Sequence, residues 1–227
     1  MAPAWMVDMT VNDVARLLPD PDTLRDHCRA LAMLDAILSP DWSSRYHSFD
    51  ARWSPTEEMA SMRNGSGDEY SIVFAPAGVY VRGFDHESPM SPYAEDEVWS
   101  GVLDSVPEEF RSCVAEPAFN DDGVPTVTAC LWRRTTDEQW QTGEIDFPEG
   151  HADPDGAGWL FQLLVDRSPE AYASFATDYY EIPVDPDAVR HVCSLRPLTG
   201  DVVRALNAEL TLVELAEDIA EIGYPGT

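Results

Sequence analysis

A β-hairpin is the clearest structural signal in this sequence. Residues 68–74 alternate apolar and polar side chains and are rich in aromatic and β-branched residues, which is typical of a strand. Pro76 and Gly78 follow in a short turn, where proline presets one backbone dihedral and glycine accepts positive φ. Residues 79–84 then run back as a second strand. We expect the stretch from Arg52 to Tyr93 to be both the structural centre and the functional surface.

Further strands are predicted on both sides of this hairpin. Alternation over residues 45–53 indicates a first strand, residues 126–132 a fourth, and residues 139–142 a fifth. Between the first strand and the hairpin, Ser54 and Glu57 form a capping-box pattern that predicts one short helix presenting Met59 and Met62.

Helices are predicted at both ends of the chain. Thr10 caps a short helix, and Asp20 with Pro21 begins a longer one that extends to Leu38. Two short helices are expected at 97–103 and 107–114. From about residue 146 onward the remaining segments all indicate helix, at 158–165, 169–180, 186–193, 201–206 and 212–222.

These elements predict the α+β class. An antiparallel sheet of about five strands occupies the first two thirds and is covered by N-terminal and C-terminal helices. Residues 1–227 are expected to form one domain, since no low-complexity linker or internal repeat interrupts them.

The charge of the chain restricts its partners. Asp and Glu number 42 against 14 basic residues, every one of them Arg, for a net charge of -28. A nucleic acid or an anionic membrane requires a positive surface, so both are excluded as expected partners. Three explanations of the acidity stay open: a GC-rich genome, adaptation to a salt-loaded cytoplasm, and electrostatic capture of a basic protein.

The remaining composition indicates a cytoplasmic protein. No apolar run approaches the roughly 20 residues that cross a bilayer, and residues 1–6 lack the basic segment of a signal peptide. Four well-separated cysteines without a C-x-x-C pair are expected to be buried free thiols. We expect no cofactor and no metal. Residues 153–156 superficially suggest a calcium loop, but Leu164 stands where that loop requires its bidentate Glu.

The candidate site lies where the second hairpin strand ends. Asp85, His86 and Glu87 are three consecutive titratable residues, from which a base or a ligand set could be built. The alternative to a functional site is that these residues only form a polar end to the strand, after which Met90 and Tyr93 pack into the core. Arg63 precedes the glycine-rich loop 65–67, and we expect the two loops to meet at one edge of the sheet. The candidate partner-binding residues are therefore Arg63, Asp85, His86, Glu87, Met90 and Tyr93.

Three segments carry a family resemblance: residues 63–70 (RNGSGDEY), 83–93 (GFDHESPMSPY) and 210–225. Together they resemble a family of uncharacterised acidic bacterial proteins from GC-rich genomes, which implies no activity. In general style, without a shared motif, the chain is also similar to the acidic α+β immunity proteins of bacterial toxin systems.

Two functions follow as hypotheses. The first is a non-enzymatic protein-binding module that neutralises a basic partner, for example a protein of the immunity or antitoxin type. The second is a small-molecule hydrolase or transferase that uses His86 with Asp85 or Glu87. The sequence contains no G-x-S-x-G, H-E-x-x-H or C-x-x-C motif, which favours the first hypothesis.

Overall fold

A computed structural model of the protein describes residues 9–94 and 96–226, and it confirms the α+β class. The chain divides into two compact units. One comprises Met1–Pro21 and Arg63–Val165, and the other comprises Asp22–Met62 and Asp166–Thr227. The expectation of one domain stays a prediction, and the expectation for residues 1–6 concerns residues outside the described part.

The described elements follow one another in this order. The helices are α1 Val11–Leu17, α2 Pro21–Leu38, α3 Arg111–Val114, α4 Ala157–Leu160, α5 Gln162–Val165, α6 Pro169–Tyr180, α7 Pro186–Cys193, α8 Gly200–Leu206 and α9 Ala216–Ile222. The strands are β1 His47–Asp50, β2 Glu58–Arg63, β3 Glu69–Ala75, β4 Gly78–Phe84, β5 Asn120–Asp121, β6 Val124–Pro125, β7 Ala129–Arg134 and β8 Gln141–Thr142. Short 3-10 turns lie at Trp42–Ser44, Glu108–Phe110 and Pro117–Phe119.

The predicted hairpin, β3 and β4, is confirmed. Its antiparallel register pairs Ala75 with Gly78 at the turn and Glu69 with Phe84 at the open end. Gly78 has φ +142°, and a Cβ there would lie 2.1 Å from the carbonyl oxygen of Arg133 on β7. Only glycine therefore fits where β4 begins beside β7.

The first unit is built on the antiparallel strand order β3-β4-β7-β8. Every residue of β4 is buried, as expected for a strand with a neighbour on each side. Ile72 and Val81 are a cross-strand pair in this core, and Tyr80 packs against Phe110 with ring centroids 6.2 Å apart. This buried pair of strands holds the loops at its open end in place.

The second unit combines the β1–β2 pair with most of the long helices. His47 pairs with Met62 in the β1–β2 register, and the C-terminal half of α2, residues 30–38, is entirely buried. Arg45 reaches across the sequence to Asp218, at 2.6 Å, which fastens the start of β1 near α9. Most of the hydrophobic core of this unit is thus helical.

Several predicted boundaries are wrong. The segment that begins with Ser54 is not a helix, because the Ser54 hydroxyl and backbone N–H contact Glu57 within a tight turn that leads into β2. Residues 97–103 form turns, with Gly101 at φ +89° and its Cβ position 2.2 Å from the Glu144 carbonyl oxygen. The last helix begins at Ala216 rather than 212, since the capping contact of Thr211 with Glu214 closes a separate turn.

The cysteines of the described part are free thiols. Cys28, Cys113 and Cys130 are buried free thiols and Cys193 is half-buried, and burial raises the pKa of Cys130 to about 12. Among the residues described, no helix combines the length and apolarity that crossing a membrane requires.

Candidate functional site

The candidate site forms at the open end of the hairpin. Glu69 pairs with Phe84, and the next residues outward, Asp68 and Asp85, have carboxylate oxygens within 4.8 Å of each other. His86 follows immediately in the loop that leaves β4. The register of two strands therefore brings together side chains that are 17 and 18 positions apart.

Asp68 orients the imidazole of His86. One oxygen of Asp68, Oδ1, lies 2.9 Å from the backbone nitrogen of His86, which donates to it, and 2.6 Å from the ring Nδ1. The other oxygen accepts a hydrogen bond of 2.6 Å from the Asn64 side chain. The loop before β3 and the loop after β4 thus meet through Asp68 and His86.

The protonation of this pair is shifted toward the charged form. Burial raises the pKa of Asp68, but hydrogen bonds from His86 and Asn64 outweigh it and lower that pKa below its usual value. The hydrogen bond with Asp68 raises the pKa of His86. Each group therefore stabilises the ion of the other.

Asp85 is held by a different set of donors. Its Oδ1 accepts the backbone N–H of Glu87 at 2.9 Å, and its Oδ2 accepts the indole N–H of Trp159, also at 2.9 Å. Gly156, at φ +71°, lies so near that a Cβ there would stand 2.5 Å from the Cβ of Asp85. Glycine is required for this close approach, which places the start of α4 against Asp85.

Asp153 and Asp155, which precede α4, are two further carboxylates near this loop. Asp155 is completely buried, and its oxygens accept backbone N–H groups of Val11 at 2.8 Å and Ala157 at 3.1 Å. Burial raises the pKa of Asp155 to about 7 and raises the pKa of neighbouring Asp153, where the charge of Asp85 adds to the effect. Burial thus favours the protonated, uncharged form of these two carboxyl groups.

The other predicted site residues fall into different environments. Glu87 is exposed, and Tyr93 is 57% exposed, with its hydroxyl 3.3 Å from Asp121. Met90 is only 1% exposed. Arg63 is half-buried at the end of β2, and the hydrogen bonds that join the two loops run from His86 to Asp68.

A groove continues the site along the chain after residue 88. The Ser88 hydroxyl donates to the carbonyl oxygen of Pro154 at 2.7 Å and anchors this loop. The residues that follow line a half-open groove of about 280 Å³. Met90 is the buried side chain of this lining. The lining residues are Pro89, Met90, Ser91, Ala94, Glu97, Val98, Trp99 and Ser100.

Chemically, the arrangement offers a positioned imidazole among carboxylates. Asp68, Asp85 and His86 each bring a ligand atom within 4.8 Å of the others, which makes them the group in the described chain able to hold a metal ion. The sequence interpretation found Asp85 and His86 but missed Asp68, Asn64 and Trp159. The strand register would have identified Asp68, whereas nothing local identifies Trp159.

No protein-family model, curated protein or solved structure matches this chain. Its function must therefore be inferred from the geometry and charge of the site.

Proposed function

We propose that this is a non-enzymatic protein-binding module that captures a basic protein partner in the cytoplasm. The observation that carries the proposal is the net charge of -28. Such a charge accelerates association with a positively charged partner and repels nucleic acids and anionic membranes.

Internal ion pairs strengthen this argument. Within the described chain, many arginines already contact the protein's own carboxylates, so their charge is compensated before any partner arrives. In the pairs Arg45–Asp218 and Arg82–Glu69 the arginine side chain is buried. The arginines with such a contact are Arg16, Arg25, Arg29, Arg45, Arg82, Arg134, Arg190 and Arg204.

The surface around the hairpin end supplies the contact. Tyr93 presents an exposed ring, which packs edge-on against Phe84 with centroids 5.2 Å apart. Aromatic side chains of this kind are common anchors in protein interfaces. Glu87 and Glu97 are exposed acidic residues on the loop beside it and along the groove, and Asp121 is an exposed acidic residue of β5. A basic segment with one apolar side chain matches this combination.

An immunity or antitoxin protein is the particular kind of binding module that we favour. Such a protein must occupy a basic toxin surface rapidly, and high opposite charge serves that purpose. The chain's acidity and α+β fold support this form of the proposal by analogy. A gene for a basic toxin next to this gene would strengthen it.

The test is a pull-down from the parent cytosol at low and high salt. We expect a partner rich in Lys and Arg that binds at low salt, weakens as salt screens the charges, and is lost with the double variant Glu87→Lys, Tyr93→Ala. Glu209→Lys, at an exposed position of the other unit, is the matched control and retains binding. Absence of any salt-sensitive partner contradicts the proposal.

One observation favours a second candidate, a hydrolase or transferase. Asp68 fixes the ring of His86 through Nδ1, which leaves Nε2 as the nitrogen for proton transfer. Turnover of a panel of carboxylic and phosphate esters, compared between the wild type and His86→Gln, tests it. Equal rates in both proteins exclude this use of His86.

A further inference from the structure

The cluster at the open end of the hairpin has the composition of a metal site. Asp68 and Asp85 each contribute a carboxylate oxygen and His86 an imidazole nitrogen, with the three ligand atoms within 4.8 Å of one another. The register of β3 and β4 sets the backbone positions of Asp68 and Asp85. The ligand set is therefore held at the ends of two paired strands rather than by a single loop.

Groups outside the cluster orient both carboxylates. Asn64 donates to Oδ2 of Asp68 at 2.6 Å, and Trp159 donates to Oδ2 of Asp85 at 2.9 Å. These contacts fix the two carboxylates and leave Oδ1 of Asp68, which faces Nδ1 of His86, as the oxygen that meets the cation. Outer hydrogen bonds of this kind hold the ligands of many protein metal sites and strengthen their binding.

The exposure of the ligands gives the cluster a closed and an open side. The Asp68 side chain is 8% exposed, whereas His86 is 35% exposed. A cation can enter from the solvent on the side of His86 and reach the buried carboxylate of Asp68. Water then completes its coordination, as at metal sites with three protein ligands.

We propose that Asp68, Asp85 and His86 bind a divalent transition metal ion of the Zn²⁺ type. The imidazole nitrogen disfavours Ca²⁺ and Mg²⁺, which prefer oxygen ligands alone. The site needs no protein partner and goes beyond the proposed function. It also differs from the sequence-based expectation of no metal, which considered residues 85–87 without Asp68.

Metal binding requires only a small local change. In the metal-free protein a proton lies between Nδ1 of His86 and Oδ1 of Asp68, which are 2.6 Å apart. Two ligands at about 2.0–2.1 Å from one tetrahedral zinc ion are roughly 3.4 Å apart. The metal therefore replaces this proton while the two side chains separate by less than about 1 Å, and the proton is released.

Calorimetric titration of the metal-free protein with Zn²⁺, and with Co²⁺ as a spectroscopic probe, tests the proposal. Excess Mg²⁺ and salt are included to suppress diffuse binding to the acidic surface. We expect one site with tetrahedral-type Co²⁺ absorption and proton release. His86→Ala weakens binding by more than about 100-fold, and Asn64→Ala, which keeps every ligand, weakens it by about 10-fold.

Two further variants make the result specific. His151→Ala removes an exposed imidazole elsewhere and leaves binding unchanged. His86→Cys replaces the nitrogen ligand by a thiolate and adds a sulfur-to-cobalt charge-transfer band, a gain that a destabilised protein does not produce.

Absence of a stoichiometric site overturns the proposal. So does binding that survives both His86→Ala and Asp68→Asn, because the ion then sits elsewhere on the acidic surface. No partner is present in these titrations, so a negative result leaves the protein-binding proposal standing.

Discussion

His47 donates to Asp35 from its backbone nitrogen, at 2.6 Å, and its ring Nδ1 lies 2.9 Å from the same carboxylate oxygen. Asp35 is completely buried in α2, and its other oxygen accepts the hydroxyl of Tyr172 from α6. A buried carboxylate of this kind joins three elements of the second unit, because each of its oxygens is satisfied by a different segment.

Removing this carboxylate is expected to destabilise the protein strongly. Asp35→Ala leaves a buried backbone N–H and a buried hydroxyl without their acceptor, at a cost of about 3–5 kcal/mol in the free energy of unfolding. Tyr172→Phe deletes one donor and costs about 1–2 kcal/mol. Urea denaturation measures both. Asp26→Ala, an exposed position on the same helix, is the control and stays within about 0.5 kcal/mol.

The core of the first unit depends on the hairpin. Ile72 is completely buried on β3 opposite Val81, so Ile72→Ala is expected to cost roughly 2–5 kcal/mol. Val213→Ala changes a side chain that is 84% exposed and is expected to be nearly neutral. Similar melting temperatures for these two variants would mean that the hairpin is not a main source of stability.

The contribution of Asp155 to stability is expected to fall as the pH rises from about 4 to about 7. The pKa of Asp155 is raised from 3.8 to about 7 by burial, so in this range the folded protein keeps a proton that the unfolded chain has released. At about 1.4 kcal/mol per pKa unit the loss amounts to a few kcal/mol.

Asp155→Asn isolates this contribution from the general repulsion among acidic side chains. The variant does not titrate. Its NH2 group cannot accept the backbone N–H of Val11 or Ala157 that one Asp155 oxygen accepts, so the variant is less stable at every pH and only the slopes are compared. We expect a flatter stability profile between pH 4 and pH 7 than in the wild type, measured by urea denaturation. Asp146→Asn, at an exposed position, should reproduce the wild-type slope. Equal slopes in all three proteins would refute this role of Asp155.

Simultaneous replacement of His86 and Glu87 by Ala separates a binding role from a structural one. Asp68 keeps the donors of Asn64 and the backbone N–H of residue 86, so we expect little change in melting temperature. Loss of the partner with preserved stability supports the functional interpretation. A marked fall in melting temperature with binding retained means that these loops only pin the sheet edge.

Local signals predicted the elements whose ends are encoded by neighbouring residues. Helices α6 and α7 begin and end where the sequence indicated, because Ser168 and Asp185 cap their first turns and Pro follows each cap. The hairpin was equally predictable, since its turn is set by Pro76 and Gly78. The capping pattern at Ser54 misled because the side-chain contact of Ser54 with Glu57, together with a backbone hydrogen bond between them, closes a tight turn before a strand.

The sequence by itself determined that an acidic α+β protein presents Asp85 and His86 at a strand end. Only the tertiary structure decided what surrounds them. Asp68 is brought to the site by the register of β3 with β4. Trp159, which donates to Asp85, lies on a helix 74 positions after Asp85 in the chain. Hydrogen bonds within a turn depend on contiguous residues, whereas the partners of a carboxylate depend on which distant segments pack beside it. A single sequence therefore indicates the position of the site but not its complete set of side chains.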